Sequence, residues 1–314
     1  MPPLSKWGWA SSGHIAVYDQ WTLRENAAHA PIYDPAKNIC ETGKEVTVSA
    51  NGVTYHISKA SGNLTQIMTA QGEFLKSPIR PSFFRAITDA DAGFVGLMMG
   101  KANRPGYFGK ISFSGIGRPS HFAVTTNGVK VVHKLKSGIY QCQYTVFEDG
   151  SIGIDCSLQT GKNPPARFGM HTELDAKYHC LTWFGKGPHD TYWGRDSSGI
   201  VAVHTADVLD QDEYVRPQEH GNKRDVRWLT LTDNNSSGIR IDCVQTPFST
   251  SVWPYSLQEL QRAKHVHDLP DHTQTTLNID CLQNGLGDCF VPCPERYKIL
   301  PNTEYRLCIR ISAI

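Results

Sequence analysis

The chain has 314 residues, and its 31 Lys and Arg residues against 30 Asp and Glu leave a net charge of +1. So balanced a charge gives no general attraction to nucleic acid or to an anionic membrane, and neither is predicted as a partner. The sequence has no run of 18 apolar residues, and its first residues lack the apolar core of a secretory signal, which favours a soluble, cytoplasmic protein.

The nine cysteines form an odd set in a large chain, which argues against a disulfide framework and for reduced thiols. Cys289 and Cys293, together with His265, His267 and Cys281, suggest a zinc site. The usual C-x-x-C pairs are missing, however, and we interpret these cysteines as core or loop thiols. No metal site and no cofactor is therefore assigned to this chain.

Short alternating or β-branched apolar runs, separated by Gly, Asn, Asp and Pro, predict strands rather than helices. The clearest runs are residues 46–48, 53–57, 129–133, 140–146, 152–156, 239–241 and 305–311. Asn51-Gly52 and Asp149-Gly150 each indicate a hairpin with a type I′ turn. Strands at this spacing predict an all-β chain that forms a large antiparallel β-sandwich.

One segment, residues 256–264, has the pattern of a helix. Ser256 is a candidate N-cap with Glu259 three positions later, which is the spacing of a capping box, and Leu257 and Leu260 make a short apolar stripe. We therefore expect one short helix in this part of the chain.

Two segments combine hydrogen-bonding side chains with aromatic rings, namely residues 183–192 (WFGKGPHDTY) and 214–228 (YVRPQEHGNKRDVRW). This mixture suits a carbohydrate, which presents hydroxyls at its edge and C–H groups on its face. The same mixture could instead hold two loops together. We interpret three aromatic residues as core and three arginines as carboxylate partners at a domain or subunit boundary: Trp183, Tyr192 and Trp228, and Arg216, Arg224 and Arg227.

Both segments resemble the C-terminal domain of the β-galactosidases of glycoside hydrolase family 2. Further matches cover nearly the whole chain, and they are residues 9–15, 21–26, 80–93, 277–280 and 285–292. The resemblance implies a galactose-mutarotase-like supersandwich at residues 36–314. It also implies that residues 1–35 are the tail of a preceding, smaller β-sandwich domain and a connector.

The resemblance implies that the two catalytic glutamates belong to a TIM barrel that lies earlier in the full-length protein. No catalytic residue is therefore assigned here, and any metal ligands of the family are expected in the missing domains. The expected function is that of a C-terminal part or small subunit of a β-galactosidase, which hydrolyses β-galactosides such as lactose. The expected partners are a catalytic (large) chain and the β-galactoside substrate, in an oligomer.

The family's C-terminal domain contributes an aromatic residue, usually tryptophan, that stacks on the sugar from a Gly-rich loop. The corresponding residue here is Phe290, in a loop that looks one residue shorter than the common form. Phe290, Asp288 and Cys289 are therefore the predicted substrate-binding residues. Phe290 offers an apolar face without an indole N–H.

His189, Glu219, His220 and Arg216 are further candidates for sugar or interface contacts. They also support an alternative, a stand-alone aldose 1-epimerase-like or carbohydrate-binding protein, in which Glu219 would act as base and His189 or His220 as acid. Two aspartates, Asp89 and Asp91, are predicted to fix their loop by pairing with Arg80 or Arg85.

Overall fold

The computed structural model describes residues 18–23, 33–92, 116–136, 138–210, 214–288, 291 and 293–314. Several parts of the motifs fall outside these ranges, namely residues 9–15, 24–26, 93, 289, 290 and 292. The predicted tail of a preceding domain is thus described only at residues 18–23 and 33–35.

The described residues form nineteen strands in three antiparallel sheets. The large sheet contains, in spatial order, β13 (Ile200–Asp207), β12 (Cys180–Gly187), β15 (Trp228–Thr232), β16 (Gly238–Cys243), β19 (Glu304–Ala313), β10 (Ile152–Thr160), β9 (Gly138–Val146), β8 (Gly128–Leu135) and β7 (His121–Thr125). The polar sheet contains β14 (Lys223–Val226), β17 (Phe248–Trp253), β18 (Gln274–Gln283), β11 (Arg167–Asp175) and β6 (Arg80–Ser82). The N-terminal sheet contains β1 (Ile39–Glu41), β2 (Glu45–Ala50), β3 (Val53–Ser58), β4 (Leu64–Thr69) and β5 (Gly72–Glu73).

One hydrophobic core joins the three sheets. Burial alternates along β9 and β10, as expected for strands with one face against a core. The core combines Val46 of the N-terminal sheet, Ile154 of the large sheet and Leu277 of the polar sheet. The predicted strands and the prediction of an all-β antiparallel sandwich are therefore confirmed.

The two predicted hairpins differ in their turns. Asn51 and Gly52 have φ angles of 45° and 78°, as the predicted type I′ turn requires. The second prediction is wrong in turn type, because β9 and β10 pair from Val146 and Ile152 and leave a five-residue loop between them. Only Gly150 has a positive φ there, of 85°. Asp149 instead accepts hydrogen bonds from the backbone and hydroxyl of Ser151, which gives a longer loop.

The predicted helix is α1, Leu257–Arg262. Its capping box is present, because the Ser256 amide donates to Glu259 Oε2 at 2.8 Å and the Glu259 amide donates to Ser256 Oγ at 3.2 Å. Leu257 and Leu260 pack in a small cluster with Trp253 and Ala86. Residues 89–92 are also helical, and short 3-10 turns occur at Val266–Asp268 and Glu295–Tyr297. Among the described helices, none is long and apolar enough to cross a membrane.

Candidate functional site

A cluster of charged and amide side chains is buried at the polar sheet. We call it the polar cluster, and it consists of Arg85, Arg167, Glu219, Asn222, Asp280 and Gln283. All of these residues are less than a tenth exposed. Burying charged groups is unfavourable unless they are paired. The pairing within the cluster therefore determines how much the cluster contributes to stability.

Arg167, on β11, holds the centre of the cluster. Its Nη2 lies 2.5 Å from Glu219 Oε1, and its Nε lies 3.2 Å from Asp280 Oδ2, with all three side chains fully buried. The second contact is an ion pair without a hydrogen bond, because Arg167 Nε and both Asp280 oxygens have no hydrogen-bond partner. Gly169 makes room for Asp280, since a Cβ there would lie 2.2 Å from Asp280 Oδ1.

The carboxylates of Asp280 and Glu219 hold protons more tightly than usual. Burial raises the pKa of Asp280 to about 7, and the attraction of Arg167 offsets this only in part. Burial likewise raises the pKa of Glu219, against the opposing effects of Arg167 and Arg85. For Asp280 the missing hydrogen bond explains why burial outweighs the ion pair.

Arg85 connects the polar cluster to the backbone that follows β18. It forms a two-contact ion pair with Asp91, at 3.0 Å from Nε and 2.6 Å from Nη2. It also donates to Gln283 Oε1 at 3.2 Å, to the Asn284 carbonyl and to the Gly285 carbonyl at 3.2 Å. The prediction that Asp91 pairs with Arg85 is confirmed, and this pair fixes the start of the Gly-rich loop as well as its own loop.

The Gly-rich loop, residues 285–293, is anchored at several described points. The Gly285 amide donates to the Tyr297 carbonyl at 2.7 Å, and a Cβ on Gly285 would lie 2.2 Å from the Trp193 carbonyl oxygen. Arg195 Nη2 donates to the Gly287 carbonyl at 2.7 Å. The loop base is thus pinned to the 193–195 turn, and only glycine fits the close approach at position 285.

Of the three predicted substrate-binding residues, only Asp288 is described. Its side chain accepts the Val291 amide at 2.7 Å, and its own amide donates to the Val291 carbonyl at 2.9 Å. These contacts close a turn and give Asp288 a role in shaping the loop. Cys289 and Phe290 lie outside the described residues.

The three residues suggested for acid and base chemistry have separate environments. Glu219 is fully buried against Arg167. His220 Nε2 shares a 2.9 Å hydrogen bond with the Tyr255 hydroxyl, and the His220 ring is nearly parallel to the rings of Trp253 and Tyr255, with centroids 6.0 Å apart. His189 is exposed and bonds Ser198 Oγ at 2.8 Å. A base that is sealed in an ion pair is poorly placed to take a proton from a sugar hydroxyl.

The predicted loop contacts are partly right. Asp89 pairs with Arg216 at 2.6 Å rather than with Arg80 or Arg85, so Arg216 binds a carboxylate of its own chain. Gln218 strengthens this junction, since its amide group contacts both the backbone and the carboxylate of Asp89. Residues 89–91 and 216–218 are therefore joined, as expected if the polar residues hold loops together.

Two further interpretations need correction. Trp183 and Tyr192 are buried as predicted, but Trp228 is half-buried on the outer face, where the Arg240 guanidinium lies 4.6 Å from its ring centroid. Arg224 pairs with Asp196, as a carboxylate partner should. Arg227, which lies between β14 and β15, instead donates to the Asp225 carbonyl and lies over the Phe184 ring.

Sequence reasoning did not identify Arg167 or Gln283 as members of a site. The available signal was a charged residue inside a run that forms a buried strand, since β11 begins with Arg167, Phe168, Gly169 and Met170. Pairing across strands is not readable from one sequence, so the partners of Arg167 could not be inferred. In the described residues no group of three or more His, Cys, Asp or Glu could hold a metal ion.

The architecture and the anchored loop define a large antiparallel β-sandwich protein with a charged interior at one sheet. The family described as β-galactosidase small chain matches residues 49–311, and the chain belongs to this family. Relatives include the β-galactosidase of Priestia megaterium, 30% identical over 290 residues, and that of Halalkalibacterium halodurans, 28% identical over 303 residues. Each match covers 89% of this chain but only 27% and 28% of those proteins.

Solved structures with similarity to the chain include a galactose mutarotase-like protein from Lactobacillus casei, with a TM-score of 0.49 and 13% identity. That match covers 86% of this chain and 100% of the other. A galactose 1-epimerase from Lactobacillus acidophilus matches with a TM-score of 0.45 and 9% identity, over 92% of this chain and 99% of the other.

Proposed function

We propose that the chain is the C-terminal part or small subunit of a family 2 β-galactosidase and acts together with a catalytic chain. The observation that carries the proposal is its family membership combined with partial coverage, since it spans 27% of the Priestia megaterium β-galactosidase. The catalytic glutamates are then supplied by the partner, and the substrates are terminal β-galactosides such as lactose.

In this proposal the Gly-rich loop completes the sugar site of the catalytic chain. Support comes from the loop base, which Arg85, Arg195 and Tyr297 hold at defined backbone groups. A loop that is fixed before it meets its partner loses less conformational freedom on binding. Phe290 would stack on the sugar, while Asp288 would hold the turn that carries it.

The domain boundary near residue 35 is part of the same proposal. Residues 18–23 lie along the free edge of β13, where the Gln20 amide group donates to the Val201 carbonyl at 3.0 Å and accepts the Val201 amide at 2.8 Å. Trp21 is 76% exposed and Leu23 98% exposed. Large exposed apolar side chains suit a segment that continues into a neighbouring domain of the catalytic partner.

The experiment measures the release of o-nitrophenol from its β-galactoside by the purified chain, alone and mixed with a β-galactosidase chain that lacks its C-terminal part. Activity in the mixture alone is the expected result. Activity of the chain alone would contradict the assignment of the catalytic glutamates to a partner, and inactivity of both would contradict the subunit proposal.

A matched pair of variants then tests the role of the loop. Phe290→Ala should lower the activity of the mixture by about tenfold, the loss expected when one aromatic contact of about 1–1.5 kcal/mol is removed. Val291→Ala, at a neighbouring side chain that is 59% exposed, should leave the activity unchanged. Equal activity of the two variants would contradict a sugar contact at Phe290.

A further inference from the structure

A second concave site lies away from the Gly-rich loop, between the turn that follows β12 and the end of β13. We call it the His189 cavity. Its volume is about 110 Å³. Its polar wall consists of His189, Asp190, Asp207, Asp210 and Lys223. A cavity of this size has room for several water molecules, and thus for the polar edge of one small ligand.

Lys223 gives the cavity a fixed hydrogen-bond donor. Its side chain is only 11% exposed, and its ammonium lies 3.3 Å from Asp190 Oδ1 and 5.5 Å from the Trp183 ring centroid. An ammonium group has three donors, and the contact with Asp190 uses one of them. The ion pair and the ring hold the ammonium in place while leaving it able to donate to a ligand.

Two carboxylates of the wall are held equally firmly. Asp190 Oδ2 accepts the Gly221 amide at 2.7 Å. Asp207 bonds His179 Nδ1 and accepts the Leu209 amide, each at 2.8 Å. A carboxylate has about four lone-pair positions, so both side chains keep acceptor capacity for hydroxyl groups. Their orientation is set before any ligand arrives.

The charges of the wall select against anionic ligands. An anion would face the carboxylates of Asp207 and Asp210, while the ammonium of Lys223 is already paired with Asp190. A neutral molecule with several hydroxyls can donate to the carboxylates and accept from the ammonium. Leu181, Ala206 and other apolar residues complete the lining and suit the C–H face of such a molecule.

We propose that the His189 cavity binds one neutral monosaccharide ring, at a site separate from the one that the Gly-rich loop completes. The cavity holds fixed donors and fixed acceptors around an apolar wall, which is the composition expected for carbohydrate recognition. The proposal is independent of the subunit function, because it concerns binding by this chain without a catalytic partner.

Titration of the full-length chain with D-galactose, followed by saturation-transfer difference NMR, tests the proposal. The expected result is saturable binding of galactose. Galacturonate, an anion, should bind at least about tenfold more weakly, since its carboxylate meets like charges in the wall. No saturable galactose signal, or tighter binding of galacturonate than of galactose, would overturn the proposal.

The binding of lactose distinguishes two kinds of ligand, a free monosaccharide and the terminal ring of a longer saccharide. Lactose binding equal to that of galactose supports the terminal ring of a longer saccharide as the ligand, and weaker lactose binding supports a free monosaccharide. Both results require an occupied cavity and support the proposal.

Asp210→Asn and Asp271→Asn form a matched pair of variants at exposed aspartates, inside and outside the cavity. Asp210→Asn should weaken galactose binding by about tenfold, the effect of losing a charged hydrogen-bond acceptor, and its thermal unfolding should match that of the unaltered chain. Asp271→Asn should bind as the unaltered chain does. Equal binding by the two variants would overturn the proposed site.

Discussion

Two fully buried regions of this molecule are built in opposite ways. Around β9 and β10 the interior is apolar, with Val131, Ile154 and Leu158 at 1% exposure or less. At the polar sheet the interior carries Arg167, Glu219 and Asp280, which are just as deeply buried. Apolar burial stabilises a fold without specifying direction, whereas a buried ion pair stabilises little but fixes where its members point.

The charged interior lies beside the start of the Gly-rich loop. Arg85 joins the polar cluster to the carbonyls of Asn284 and Gly285, where the Gly-rich loop starts. Among the residues that the structure describes, the apolar region makes no comparable contact with a loop of proposed function. We infer that the unfavourable burial of charge is retained here because it holds the Gly-rich loop in one position.

Arg167→Met should destabilise the charged interior strongly. This change leaves Glu219 and Asp280 without their shared partner in a region that water does not reach. The expected loss in the free energy of unfolding is about 3–5 kcal/mol, as is typical when one partner of a buried ion pair is removed. Urea unfolding followed by fluorescence measures it, and a loss below about 1 kcal/mol would mean that the cluster is not held by Arg167.

The matching change in the apolar region is Ile154→Ala. Ile154 is 1% exposed, and its removal should cost about 2–4 kcal/mol through lost burial and a residual cavity. The same urea experiment measures the loss. Ile154→Val should cost only about 1 kcal/mol, and equal losses for the two variants would show that packing does not control stability here.

The pH dependence of the free energy of unfolding distinguishes the polar cluster from the apolar region. The substitution that tests it hardly changes the shape of the side chain. The pKa of Asp280 is raised to about 7, so the folded chain binds a proton that the unfolded chain has released above its ordinary pKa. This contribution to stability is fully present below the unfolded pKa near 4 and is lost as pH rises through 7. Its slope is at most about 1.4 kcal/mol per pH unit.

Asp280→Asn removes this titrating group and should flatten the decline in stability between pH 5 and pH 8. Glu219 titrates in the same direction, because its pKa is also raised, so part of the decline should persist. Urea midpoints at several pH values measure the slope. A variant slope identical to that of the unaltered chain would contradict the raised pKa of Asp280.

The cap of α1 lies outside both regions and should contribute less to stability than either of them. Ser256→Ala removes the hydroxyl that accepts the Glu259 amide and should cost about 1 kcal/mol. Thermal unfolding measures this loss against the unaltered chain. Ser256→Asp keeps an acceptor at the cap and should restore most of the stability, so a loss equal to that of Ser256→Ala would contradict the capping role.

The strands and the helix cap could be predicted because their signals are local. Short alternating or β-branched apolar runs predicted β9, β10 and β19, and the Ser256 and Glu259 pair predicted α1. The polar cluster could not be predicted, since Arg167 meets Glu219 and Asp280 only after β11 and β18 pair across more than 100 residues. The turn at Asp149 was predicted wrongly because its side chain bonds Ser151.

The substrate-binding prediction rests on resemblance more than on local pattern. The structure describes Asp288 as the residue that closes the loop turn, while the stacking role of Phe290 stays a prediction. His189 and Glu219, which the sequence grouped with one another, belong to separate environments, one exposed and one buried. Spacing along the chain gave no measure of their separation.

We propose that this chain completes a β-galactosidase whose catalytic glutamates lie on a separate chain. The most direct measurement is the rate of o-nitrophenol release when the chain is titrated into a fixed amount of catalytic chain that lacks its C-terminal part. The rate should rise from background and saturate as the complex fills. A rate that stays at background across the titration, or one that grows in proportion to this chain alone, would contradict the proposal.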